Sequence, residues 1–163
     1  MSTRDAVGSS ESFWDMIEGR RPFSPSSELL GFKIVSIEAE AGTMETGFEA
    51  TPQFLNAGGT VQGGFITAML DDTMSYAGTV HLKGTHALPT LEIKTSFMRP
   101  AFVGPLFGTG RLVHRGRDFA FLEGSLRDKD AKLIATATAS ARIIAIEELR
   151  GRLVGKEALR KAS

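Results

Sequence analysis

Between Val61 and Val80 the chain runs twenty residues without proline. Its apolar positions there (Val61, Phe65, Ile66, Ala68, Met69, Leu70, Met74, Tyr76, Ala77 and Val80) spread around most of a helical circumference. A helix that is apolar nearly all round has to be enclosed by the rest of the fold. On both sides of it the period falls to two. Ahead of it, Phe32, Ile34, Val35 and Ile37, a turn at Glu38–Gly42, then Met44, Thr46 and Phe48 predict a β-hairpin. Behind it, strand-like stretches run over Leu88–Met98, Pro105–His114, Asp118–Arg127 and Lys132–Ile144, with turns at Arg115-Gly116 and Lys129-Asp130. Pro52–Thr60 and His81–Ala87 are expected to be loops. Ser12–Glu18 predicts a short amphipathic helix ended by Gly19 and Pro22, and Pro25–Gly31 one further helical turn. Met1–Ser10 is small and polar and expected to be disordered; Glu147–Ala162 is expected to be a charged helix or tail. The pattern is that of an α+β fold, with about six antiparallel strands wrapped around one long central helix.

Composition narrows what such a fold can be doing. The 163 residues suit one domain, and 19 Lys+Arg against 19 Asp+Glu give zero formal charge, which argues against nucleic-acid binding. Cysteine is absent, removing disulfides, thiolate nucleophiles and thiolate metal sites. Apolar runs are too broken for a membrane span, and the start lacks the apolar core of a signal peptide, so a cytoplasmic protein is expected. The three histidines, His81, His86 and His114, are scattered, and no metal site is expected from them. Neither a G-x-S-x-G elbow nor a phosphate-binding glycine loop occurs, and Gly108-Thr-Gly110 lacks the third glycine of a dinucleotide fingerprint.

The unusual feature is Asp71-Asp72, two carboxylates in the middle of the apolar helix. Burying a carboxylate is costly, and such positions are often functional. The opposing explanation, one Asp pairing structurally and the other at a rim, weighs about equally on these residues alone. The helix also begins at Gln62-Gly63-Gly64, preceded by Asn56 and two more glycines. Glycines there let a ligand approach free backbone N–H groups that favour negative charge. Gln62 and Asp71 are nine residues apart, about 13 Å along the axis and roughly half a turn round it. If both serve one site, a second copy of the chain must supply the missing half, and a two-fold dimer would hold two such sites. Ser75, one turn beyond Asp71, lies on the same face.

Asn56-(x5)-Gln62-Gly63-Gly64-(x6)-Asp71 resembles the signature of the PaaI-type hotdog-fold acyl-CoA thioesterases. Phe97-Met-Arg-Pro100, Gly104-Pro-Leu, His114-Arg-Gly-Arg117 and Leu133-Ile-Ala-Thr136 are similar to that family's strand pattern, and the likeness spans roughly residues 28–144. It implies a hotdog domain over 28–145, with an N-terminal tail and short helix over 1–27 and a charged helix or tail over 146–163. It also implies hydrolysis of an acyl-CoA thioester to acid and CoA, without metal or bound cofactor; the expected assembly is a homodimer, with further pairing into a dimer of dimers left open. Carried over by position, Asp71 becomes the general base or nucleophile and the Gly63 N–H the group that polarises the thioester carbonyl. Asn56 would position water or carbonyl across the interface, with Ser75 and Thr90 supporting the carboxylate.

Gln62 stands where many members carry histidine. An amide orients a substrate but exchanges no proton near neutral pH. This keeps open a non-catalytic acyl-CoA-binding dimer, while a hydratase on this fold would need a histidine beside Asp71. Arg115, Gly116 and Arg117, with Gly64, are candidates for holding CoA, and Arg99 is a lesser one; a merely solvated turn at 115–117 is equally compatible. Phe54, Leu55, Phe65 and Met69 are candidates to line an acyl pocket, though core packing is the commoner job of such residues.

Overall fold

The computed structural model describes residues 10–149 and 151, so the polar start before Ser10 and most of the charged end lie outside the described residues. Among the described residues the named elements follow one another in this order. They are α1 (Ser10–Ile17), α2 (Pro25–Leu29), β1 (Lys33–Glu38), β2 (Thr43–Ala50), a 3-10 turn at Pro52–Phe54, α3 (Gly63–His81), β3 (His86–Ala87), β4 (Thr90–Phe97), β5 (Gly104–Arg115), β6 (Phe119–Asp128), β7 (Leu133–Arg142) and β8 (Ile144–Ala145). Six strands form one antiparallel sheet in the order β1-β2-β5-β6-β7-β4, while β3 and β8 pair separately. Among the described residues no helix is long and apolar enough to cross a membrane.

The long helix lies in the concave side of this sheet. Ile66, Met69, Leu70, Met74, Ala77 and Val80 are buried against the inward residues of β5, β6 and β7, among them Leu106, Leu122, Leu126 and alternate alanines of Leu133–Arg142. Two glycines let β5 cross the helix closely. A Cβ on Gly110 would stand 2.7 Å from the Thr73 carbonyl oxygen, and one on Gly108 would stand 2.6 Å from the Thr73 hydroxyl. Thr73 gives its hydroxyl hydrogen to the Met69 carbonyl at 2.8 Å, so Thr46 Oγ1, 2.8 Å away, is the donor between the two threonines.

The side of α3 turned away from the sheet is covered by the N-terminal segment. Phe13 and Trp14 of α1 pack at Gly84 just past the helix, where the Trp14 indole N–H donates to the Lys83 carbonyl at 3.2 Å. Farther along, Phe13, Phe23 and Phe32 surround the Tyr76 ring, with centroids 6.3, 5.8 and 4.7 Å away. Ser24 caps α2, accepting from the Ser27 N–H at 3.2 Å, and Ser27 is buried.

The expected loop at His81–Ala87 proves partly regular: His81 ends α3, and His86 and Ala87 pair with Ala145 and Ile144. Two-residue strands have no detectable period, which is why the pattern missed them. The stretch beginning at Leu88 becomes a strand only at Thr90, because Pro89 has no N–H to give to a ladder. Replacing Gly110 by valine should push β5 off α3. We expect a loss of about 2–3 kcal/mol, read as a lowered urea midpoint with the fold retained.

Candidate active site

The two adjacent carboxylates of α3 meet different surroundings. Asp71 faces the edge strand, is half-buried, and accepts a 2.6 Å hydrogen bond at Oδ1 from the Thr90 hydroxyl. No partner occupies its second oxygen among the described residues. Asp72 faces the N-terminal covering, near Ser27 and Tyr76, and its buried Oδ2 has no hydrogen-bond partner among the described residues. Burial raises the Asp72 carboxyl from 3.8 to about 6; the Ser27 hydroxyl opposes this and the Asp71 charge adds to it.

At the start of the helix, Gln62 is the N-cap, and its side-chain Oε1 accepts from the Gly64 N–H at 2.6 Å. Gly64 has to be glycine for this fold-back, since a Cβ there would stand 2.6 Å from that oxygen. Because an amide accepts only through oxygen, this bond fixes which end of Gln62 faces outward: its Nε2, with two N–H donors. The Gly63 N–H beside it has no acceptor among the described residues. Gly64 is thus a satisfied donor, whereas Gly63 is a free one.

A single seam joins the two ends. Thr90 meets Asp71, Thr95 Oγ1 accepts from Thr67 Oγ1 at 3.1 Å, and the Phe97 ring lies where a side chain on Gly63 would be. Strand β4 therefore runs antiparallel along α3, from the carboxylate end to the free N–H end. It is also a sheet edge: β7 pairs with one side of it and, among the described residues, nothing pairs with the other.

The remaining predicted residues separate by role. Asn56 is committed to its own loop, accepting from the N–H groups of Gly58 (2.8 Å) and Thr60 (3.3 Å) and donating to Thr60 Oγ1 (3.0 Å). Ser75 sits one turn after Asp71 and makes no hydrogen bond with it in the single chain. Arg115 and Arg117 are exposed at the β5–β6 turn, where Arg117 lies 3.8 Å from Asp118. The ladder Thr90–Ala141–Ala120–Arg115 sets Arg115 three strand spacings from Thr90, about 14 Å, at the Asp71 end of the sheet. Arg99 donates to the Leu133 carbonyl at 3.0 Å, tying a loop. Of the four acyl-pocket candidates, Phe54 and Met69 are fully enclosed; Phe54 stacks on Phe65 at 4.2 Å. Leu55 is exposed, and the structure adds Phe97, Met98 and Phe102 as exposed apolar side chains following β4's inner end. Sequence reasoning passed over Phe97 as a pocket residue because alternation gave its side, not the helix end it covers. None of the three histidines bonds Asp71: His81 Nδ1 lies 3.0 Å from the Ala39 carbonyl, His86 lies beside Thr85, and His114 packs near Phe121.

Comparison with known proteins places the fold. The thioesterase superfamily profile matches residues 58–135, which span the glycine loop, all of α3 and the strands up to β7. A phenylacetic acid degradation-related protein from Ralstonia eutropha JMP134 is 41% identical, with 80% of this chain and 98% of that chain aligned at a TM-score of 0.75. The chain is a hotdog-fold member of the thioesterase superfamily, of the PaaI type. The Escherichia coli PaaI protein from the phenylacetic acid degradation operon has the same fold: 21% identity, 85% and 97% coverage, TM-score 0.71. So does a Streptococcus mutans UA159 protein solved bound to acetyl CoA: 24% identity, 77% and 93% coverage, TM-score 0.62. In this thioesterase-superfamily chain the hotdog helix carries both the free N–H and the carboxylate, at opposite ends of one seam.

The raised Asp72 carboxyl has a stability consequence. Between about 4 and 6 the folded chain holds a proton that the unfolded chain has lost, so stability falls as pH rises through that window. Asp72→Asn removes the charge. It should raise stability by about 1–3 kcal/mol at pH 8, bring no gain at pH 4, and flatten the profile between, measured by urea unfolding across pH.

Proposed function

We propose that the chain hydrolyses acyl-CoA thioesters in a site shared by two copies. What carries the proposal is the seam: one helix holds a carboxylate with one oxygen tied and one oxygen free, and two outward N–H donors about 12 Å away. The unpaired β4 edge supplies a way to bring opposite ends together. A two-fold axis perpendicular to the sheet keeps inward residues opposite inward ones, so it can set Ile93 of one copy against Ile93 of the other. That register places Glu92 across from Lys94 of the second copy, an opposite-charge pair. It also lays the Thr90 end of each strand beside the Thr95–Phe97 end of the other, and so Asp71 toward the second copy's Gly63.

In the proposed reaction the thioester carbonyl oxygen accepts from the Gly63 N–H and the Gln62 Nε2–H. Asp71 Oδ2, oriented by the Thr90 bond on Oδ1, takes a proton from water as it attacks the carbonyl carbon. Negative charge gathers on the carbonyl oxygen, where the two donors and the helix N-terminus oppose it. Collapse breaks the C–S bond, and the departing thiolate takes the proton back from Asp71. Gln62 does the work of a donor without titrating, so no histidine ionisation shapes the profile. Arg115 and Arg117, exposed at the Asp71 end of the sheet, would bind the CoA phosphates. The exposed apolar group at Leu55, Phe97 and Phe102 borders the acyl side.

A thiol-release assay across aliphatic and aromatic acyl-CoAs tests the reaction. Turnover should fall at least about 10³-fold in Asp71→Asn; tight binding of acyl-CoA without release in the unaltered protein would instead indicate a binding protein. Single-turnover hydrolysis in ¹⁸O-water should leave Asp71 unlabelled; label in Asp71 would mean that the carboxylate attacks directly. Gln62→Glu separates capping from donation. Its carboxylate can still accept from the Gly64 N–H, so melting temperature should hold, while kcat should fall about 10²-fold because an acceptor replaces the donor.

A further inference from the structure

The chain ahead of β1 is tied to itself more than to the rest of the fold. Among the described residues, the backbone hydrogen bonds of residues 13–29 close locally: Arg20 and Arg21 N–H to the Asp15 carbonyl, Glu28 N–H to Ser24, Phe32 N–H to Ser27. The first bond into the sheet comes at Leu30, whose carbonyl accepts from the Glu49 N–H at 3.1 Å. Gly31 follows with φ at +67°, and a Cβ there would stand 2.9 Å from Glu49 Cβ, so only glycine fits the turn that leads into β1. Ahead of that turn, the bond from Trp14 to the Lys83 carbonyl and the packing of Phe13, Phe23 and Leu30 hold the segment on the fold. A segment attached in this way can lift as a unit without opening the sheet ladder.

Beneath it lies a carboxyl group that the proposed site does not use. Asp72 Oδ2 is enclosed without a hydrogen-bond partner, and among the described residues no cation pairs with Asp72. The α2 segment brings only hydroxyls to this spot: Ser27 to Asp72 and Tyr76, and Ser24 to Tyr76. Ser27 is itself buried, its Oγ 2.9 Å from that of Ser24, while the charged Glu28 of α2 is exposed. From α3 come the Tyr76 phenol, held neutral by burial, and the Asp71 carboxylate. In the segment's first half Asp15 and Glu18 are taken by Arg20, and Arg20 and Arg21 are exposed, as are Lys33 of β1 and Glu49 of β2. A neutral carboxyl suits this place, because its O–H can donate to the Ser27 hydroxyl; an ionised one has no countercharge and is repelled by Asp71.

We propose that residues 13–30 are a strap latched by the proton on Asp72, closed over α3 while Asp72 is neutral and lifting about Gly31 when it ionises. Lifting admits water to Asp72 and Tyr76 and leaves the sheet intact. In the closed strap the Asp72 carboxyl titrates at about 6, and in the lifted one it returns toward 3.8. The open-to-closed ratio therefore grows as pH rises from 3.8 to about 6 and is level on either side. From pH 5 to pH 8 the growth is about tenfold.

Backbone hydrogen exchange of the full chain, corrected for intrinsic rates and followed where it reports the opening equilibrium, tests this. Protection of the N–H groups between Phe13 and Leu30 should fall about tenfold from pH 5 to pH 8. At both pH values it should stay at least about tenfold below that of β5 and β6, because the strap opens without global unfolding. Asp72→Asn keeps the shape of the group and removes its titration. In that variant strap protection should be equal at the two pH values, and still below that of β5 and β6. Strap protection matching that of β5 and β6, no fall between pH 5 and pH 8, or a fall that persists in Asp72→Asn, each overturns the proposal. No substrate enters the measurement, so the strap and the thioesterase reading stand or fall separately.

Discussion

A helix is a rigid ruler, and on α3 the ruler separates what the proposed hydrolysis needs together. At 1.5 Å per residue, the free N–H of Gly63 and the carboxylate of Asp71 stay about 12 Å apart whatever the side chains do. Everything around the helix follows that separation. Strand β4 lies along the same face, touching Asp71 through Thr90, Thr67 through Thr95 and Gly63 through Phe97. It is left as an edge, so its outer hydrogen bonds are open to another strand. On this account the edge is kept uncovered because it is where the second half of each site arrives.

The same helix explains why adjacent carboxylates diverge. Successive residues point about 100° apart, so Asp71 turns to the open edge while Asp72 turns under α2. Asp71 gains a hydroxyl donor and keeps one oxygen free. Asp72 gains burial, an unpartnered oxygen and a carboxyl raised to about 6. Sequence alone weighed a structural Asp against a functional one without saying which was which. The N-terminal covering decides it, and that covering is held by Phe13, Phe23 and Phe32 around Tyr76, contacts between segments some 45 to 60 residues apart that no local period encodes.

Much of the architecture was nevertheless legible. The unbroken apolar circumference from Val61 to Val80 identified a helix that needs a sheet around it, and period-two stretches located the six main strands within a few residues. What escaped was set by pairing rather than pattern: the short β3–β8 ribbon, and the sharing-out of hydrogen bonds at the helix start. Gln62 was readable as a departure from histidine, but not as an amide folded onto Gly64 with its nitrogen turned outward. Asn56 was named for the substrate, but that its amide also holds the Gly58–Thr60 turn was not readable from the pattern. Phe54 and Met69, named for their apolar character as pocket candidates, are core, because apolarity does not say which side of a packed layer a residue meets.

The central claim, one site built from two chains, is tested most directly by mixing two inactive variants. Asp71→Asn disables the carboxylate at the middle of α3, and Gln62→Glu the donors at its start. A dimer holding one chain of each places both defects in one site and leaves the other whole, so random re-pairing should restore about a quarter of the activity. Such recovery, absent from either variant alone and proportional to the mixed species, is the predicted result. If mixed dimers form but stay as inactive as their parents, the carboxylate and the N–H donors do not meet across the two chains.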